Sequence, residues 1–248
     1  MSEPHRRRVL TWLSAAAATA ACGKRPGDDD PGGGADYPVA SARECERIPQ
    51  EAAGPFPADG SNGVDVLSLD GIVRSDIRPS IGVLQGSAVG VPLTLRLTVV
   101  DGTCAPVPGA AVYVWQCDRE AHYSLYTLEE QNYLRGVQVA DAAGIVEFVS
   151  IFPGCYPGRW PHVHFAIYES LEAATTGAEP IATSQLAFTE AACVAAYGAE
   201  GYEGSVRALD GVSLATDGVF RDDDEGLQLA DVEGDPEGGF VAALTVGV

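Results

Sequence analysis

The sequence predicts an all-β protein: a single β-sandwich domain with one short helix and long loops, set behind an N-terminal export signal and a flexible tether. Three observations carry this expectation. Short runs of alternating or β-branched residues recur along the chain, clusters of Gly, Pro and Asp separate them, and one stretch alone has a helix-like cap and composition. A hydrophobic share of 46% in 248 residues is enough to fill one sizeable core.

The first element is residues 1–21. "HRRRVLTWLSAAAATAACG" (His5 to Gly23) joins a basic cluster to an apolar run from Val9 to Ala21. A bilayer crossing needs about 20 apolar residues, so the run reads as a cleaved export signal. Arg6-Arg7-x-Val9-Leu10 resembles the twin-arginine signal that exports folded proteins. Cys22 fits the lipid-anchored first residue of a bacterial lipoprotein, although Thr19 stands where leucine is usual; Ala18-Thr19-Ala20 reads alternatively as an ordinary peptidase site. The expected location is periplasmic or at the cell surface. Residues 22–42, rich in Gly, Pro and Asp, form a tether with little to bury.

The folded domain is expected over 43–248. "PLTLRLTVV" (Pro92 to Val100) sets Leu93, Leu95, Leu97 and Val99 on one face. "AAVYVWQC" (from Ala110), "GIVEFVSI" (from Gly144) and "GGFVAALTVGV" (from Gly238) are further strands. Thr189 is placed to cap the helix "EAACVAAYG", which Gly198 ends. "RDDDEG" (Arg221 to Gly226) is expected to be a solvated loop. If Cys22 is acylated, Cys45, Cys104, Cys117, Cys155 and Cys193 form at most two disulfides and leave one thiol over. A formal charge of −20 argues against nucleic acid as a partner.

Two of only four histidines sit in "PGCYPGRWPHVHF" (Pro153 to Phe165). On a strand, Val163, Phe165 and Ile167 face the core, and His162 and His164 face away with side chains about 6.5–7 Å apart along the chain. Two imidazoles so placed converge on one metal ion. Tyr156, bracketed by Pro153-Gly154 and Pro157-Gly158, is brought back over them by the bend. A phenol gives up its proton near pH 10, so a tyrosine beside two histidines points to a hard trivalent cation such as Fe(III) rather than to zinc. Tyr123, in "VYVWQCDREAHYSLY" (Val112 to Tyr126), is a second anionic donor; Tyr126 is its alternative.

These segments, with "SQLAF" (Ser184 to Phe188), "CERIPQEAAGPFP" and "GIVRSDI", resemble the intradiol ring-cleavage dioxygenases, in particular their short exported branch. The resemblance covers roughly Cys45 onward. It implies a non-heme Fe(III) cofactor held by Tyr123, Tyr156, His162 and His164. It implies a catechol-type substrate cleaved with O2 to a muconate-type diacid, with Arg159 stabilising charge that develops on the ring and Gln185 assisting. Two departures stand out. Ala121-His122 replaces the glycine expected before the first tyrosine, and the helical dimerisation segment of cytoplasmic catechol dioxygenases has no counterpart, so no oligomeric state is expected from it. Two other readings compete: a cupin-like Fe(II) or zinc enzyme using His162, His164 and Glu169, and a non-catalytic β-sandwich binding lipoprotein.

Overall fold

The computed structural model describes residues 45–248. The export signal (1–21), Cys22 and the tether (22–42) lie outside the described residues.

Among the described residues, eight strands make two four-stranded sheets. They are β1 (Pro92–Val100), β2 (Ala111–Trp115), β3 (Arg135–Val139), β4 (Ile145–Ile151), β5 (His162–Tyr168), β6 (Ala182–Ala187), β7 (Asp231–Asp235) and β8 (Gly239–Gly247). One sheet runs β4-β1-β8-β7 and the other β3-β2-β5-β6. Every pairing is antiparallel except β1 with β8, which is parallel in register Leu93↔Phe240 through Val100↔Gly247.

The period-2 pattern fixes which faces meet. Leu93, Leu95, Leu97 and Val99 of β1, with Val146 and Phe148 of β4 and Phe240, Ala242 and Leu244 of β8, share one core with Val112 and Val114 of β2, Val163, Phe165 and Ile167 of β5, and Leu186 of β6. This shared core makes the two sheets a sandwich. A second apolar cluster lies on the outer face of the β3-β2-β5-β6 sheet, where Tyr113, Trp115, Ala166 and Tyr168 meet Ala58, Val66, Leu67, Ile72 and Tyr123.

That second cluster bears on the histidines. The histidine-bearing side of β5 is not a solvated polar face: all seven of its residues are buried. The cover comes from the chain ahead of β1. Ile48 N–H donates to Gly247 C=O (3.0 Å), Glu51 N–H to Thr183 C=O (2.8 Å), and the following residues run across the outer face.

The predicted helix is α2 (Glu190–Ala196), capped by Thr189, whose hydroxyl accepts from Ala192 N–H. Two further helices were not expected, α1 (Leu171–Thr175) and α3 (Glu203–Leu209). At five and seven residues they are too short to impose a readable 3.6-residue period. The acidic loop is solvated as expected, with a 3₁₀ turn at Phe220–Asp222.

Among the described residues one disulfide forms, Cys45–Cys104, and three thiols rather than one are free: Cys117, Cys155 and Cys193, all buried. The free thiols sit as small apolar groups in packed positions. Burial pushes Cys155 up to about 12, which leaves it protonated and unreactive. The disulfide ties the start of the covering segment to the β1–β2 loop across a sequence separation of 59. Loop-closure entropy at that length is worth about 4 kcal/mol. The double variant Cys45→Ser/Cys104→Ser is expected to lose stability on that order, read in Trp fluorescence as a lower urea midpoint with a steeper slope, because the unlinked unfolded chain exposes more surface. An unmoved midpoint refutes the bond's stabilising role.

Candidate metal centre

His162 and His164 open β5, and its pairing places their neighbours: Trp115 of β2 and Gln185 of β6 both lie opposite His164. Trp115 stacks flat on the His164 ring, with centroids 5.0 Å apart and planes 6° from parallel. His162 Nδ1 bonds the Trp160 carbonyl, so Nδ1 carries the proton and Nε2 turns a bare lone pair inward.

The two tyrosines arrive on loops that touch each other. Gly154 lies so close to the loop at 118–121 that a Cβ there would meet Ala121 N at 2.7 Å and Asp118 O at 2.9 Å. Only glycine allows this approach, which brings the Tyr156 loop onto the Tyr123 loop. The Tyr123 loop is set by Asp118, whose Oδ1 accepts from Glu120 N–H and His122 N–H, while its carbonyl accepts from Ala121 N–H. Ala121 takes φ +65°, the left-handed region that favours glycine. Ala121 thus adopts the conformation that a glycine would favour there.

The four side chains form a closed ring of donor atoms. Tyr156 OH lies 3.1 Å from His162 Nε2, His162 Nε2 3.2 Å from His164 Nε2, His164 Nε2 3.2 Å from Tyr123 OH, and Tyr123 OH 3.5 Å from Tyr156 OH. A tetrahedral ion with bonds of about 2.0–2.1 Å sets its donors about 3.3–3.4 Å apart, so the ring has the dimensions of a metal site. Tyr126 does not join it: its hydroxyl donates to Asn62 Oδ1 (2.8 Å) and accepts from Ala58 N–H (3.0 Å). Glu169 lies one residue past β5, exposed, and is also outside the ring. Among the described residues no group of three or more His, Cys, Asp or Glu gathers as a metal site. A two-histidine, two-tyrosine set is a different donor chemistry.

Electrostatics support that chemistry. Burial, then the nearby Arg159, pulls His162 down to about 3, and burial with His162 and Arg159 pulls His164 well below its usual range, so both imidazoles stay neutral. Burial pushes Tyr156 up to about 12 and Tyr123 well above its ordinary value. Two phenols that resist ionising alone need a strongly charged cation to displace their protons, and they suit a hard, trivalent one.

Arg159 runs beside the ring. Its Nη2 donates to Gln185 Oε1 and its Nε to Asp217 Oδ2 (3.0 Å), and the side chain is 23% exposed. Asp217 did not stand out in the sequence, where "LATDGVF" reads as an ordinary turn. Burial alone would raise its carboxyl, but the Trp160 and Val219 N–H groups and the Arg159 guanidinium outweigh that and hold it below the usual carboxylate range. Arg135 was also missed. It is fully buried and braces Ser124, next to Tyr123, through Nε to Oγ and Nη2 to the carbonyl, both 3.0 Å.

The covering segment closes the site from outside. Gly54, at φ +75°, would place a Cβ 3.3 Å from His164 Cε1, and the Phe56 ring lies 4.9 Å from that of Tyr123.

A family model described as Dioxygenase matches residues 78–174, a span containing Tyr123, Tyr156, Arg159, His162 and His164. The solved intradiol ring-cleavage dioxygenase from Tetranychus urticae is similar over 82% of this chain and 94% of its own, at 25% identity and a TM-score of 0.63. The matching family model and the solved structural neighbours are those of intradiol ring-cleavage dioxygenases, to which this chain is similar. The same fold recurs in the dioxygenase domain of a carbohydrate-binding fusion protein from Streptomyces sp. SirexAA-E, at 23% identity, a TM-score of 0.52, and coverage of 82% of this chain and 98% of that one. Hydroxyquinol 1,2-dioxygenase of Corynebacterium glutamicum is 33% identical over 104 residues, and the match spans 35% of this chain and 35% of that relative. Gln185 and Asp217 lie beyond the part of the chain that the family model covers.

Proposed function

We propose that Tyr123, Tyr156, His162 and His164 hold a non-heme ferric ion and that the protein opens catechol-type rings between their two hydroxyls with O2, giving muconate-type diacids. The observation that carries this reading is the closed ring of four donor atoms at 3.1–3.5 Å. A ferric ion held by these four side chains would supply Lewis acidity toward a catechol's oxygens.

The chain's own groups do the rest. His162 and His164, neutral and oriented by the Trp160 carbonyl and the Trp115 ring, give lone pairs without bringing protons. Tyr123 Oη and Tyr156 Oη are the atoms that give up protons when the metal binds. Arg159 keeps Nη1 free of any described hydrogen-bond partner, a cationic donor for charge that builds on the substrate. Gln185 holds that guanidinium from the strand beside His164. Gly54 and Phe56 keep bulk water from the ring's outer side. The Cys45–Cys104 disulfide supports the further proposal that the protein is exported to an oxidising compartment.

The test is direct. Iron-loaded protein is expected to be burgundy from phenolate-to-iron charge transfer and to convert members of a catechol panel to ring-opened diacids. Tyr156→Phe and Tyr123→Phe should each shift or bleach the colour, and Tyr126→Phe should leave it unchanged. A colourless protein with stoichiometric zinc would overturn the assignment.

A further inference from the structure

We infer that Asp217 is a positioning residue that aims the Arg159 guanidinium and fastens the segment from Ser213 to Phe220 against the histidine–tyrosine ring. The inference rests on the function proposed above and deepens it.

The Asp217 side chain is fully buried, and its carboxylate takes four N–H donors. Oδ2 accepts from Arg159 Nε (3.0 Å) and Trp160 N–H (2.6 Å), and Oδ1 from Val219 N–H (2.7 Å) and Phe220 N–H (3.2 Å). One oxygen therefore grips the stretch that leads into β5, and the other folds the acid's own segment around it. Ser213 and Thr216 close that segment with a reciprocal capping box. The turn delivers Phe220, whose ring stands 6.3 Å from His162 at 62°.

The effect on Arg159 follows from donor arithmetic. A guanidinium is planar, with a fixed fork of N–H groups. Asp217 holds Nε and Gln185 holds Nη2, which fixes the plane and leaves Nη1 with no partner among the described residues. Without the carboxylate a long, partly exposed arginine regains its rotamers. Its free donor then spends little time where charge develops. Asp217 has no hydrogen bond to any of the four ring residues, so its influence passes through Arg159, Trp160 and Phe220.

Asp217→Asn keeps the shape but puts an NH₂ group where one pair of N–H donors now points. The expected result is a fall in kcat of about 100-fold, the cost of misplacing a catalytic group by about 1 Å. The burgundy band and iron content stay at the parental level. In an Arg159→Gln background the same change should cost less than about two-fold more, because coupled residues do not add. Independently of turnover, in iron-free protein the Arg159 Nε–H signal in ¹⁵N NMR should be sharp and slow to exchange in the parent, and lost in Asp217→Asn.

Additive losses in the double variant, or an Nε–H signal that survives Asp217→Asn, overturn the inference. If Asp217→Asn does not fold, Asp217→Glu keeps the charge and is expected to fold with a broadened Nε–H signal and lowered kcat. If neither variant folds, Asp217 is a folding residue only and the inference fails. A parent that is inactive on every catechol sinks the proposed function while leaving the NMR test of Arg159 in force.

Discussion

His164→Ala protein, expressed with iron and dialysed, is expected to retain iron at least about 100-fold more weakly than the parent, beyond the cost of losing a merely supporting contact. The His164 Nε2 atom closes the ring on two sides, at 3.2 Å from both His162 Nε2 and Tyr123 OH. Its removal leaves three donors and opens a gap against Trp115, so the charge-transfer colour should vanish with the metal. Near-UV circular dichroism separates this from unfolding, because the sandwich core on the other face of β5 does not involve the ring. Iron retained at full occupancy with unchanged colour would mean that the metal sits elsewhere.

The second large effect falls on stability. Arg135→Met is expected to cost at least about 3 kcal/mol, from several carbonyl and hydroxyl groups that lose their donor at about 1–3 kcal/mol each. Arg135 is fully buried, and no described carboxylate is ion-paired with it. It donates instead to Phe56 C=O (3.0 Å), Pro57 C=O (3.0 Å), Tyr113 OH (3.2 Å) and both oxygens of Ser124. One side chain thus joins the covering segment, β2 and the Tyr123 loop. Arg135→Lys should rescue little, because an ammonium cannot span that fork of acceptors. Denaturant unfolding measures the loss; a midpoint within error of the parent would refute the bracing role.

Local patterning made much of this protein legible. The alternation in Pro92–Val100 and the H-x-H spacing each state a side-chain direction, and the structure has the same parity at Leu93 and at His162. Thr189 was readable as a cap because its partner is three residues away. What escaped depends on separation. Asp217 meets Arg159 across 58 residues and Arg135 meets Phe56 across 79, with no local motif at either end. The burial of the histidine face escaped for the same reason, since its cover is a segment without regular periodicity. Ala121 misled in the opposite way: the glycine signal was absent, yet the conformation it marks is present, held by the Asp118 bonds.

The slot that β8 occupies between β1 and β7 has a consequence for biogenesis. On a translating ribosome, Leu93 emerges long before Phe240, so β1 must wait with one lengthwise edge unsatisfied while β2 to β7 are made. This sheet can therefore pair β1 with β4 early but is completed only when β8 emerges. A nascent chain halted before Gly239 would display a sticky, valine- and leucine-rich ribbon for holding chaperones to shield.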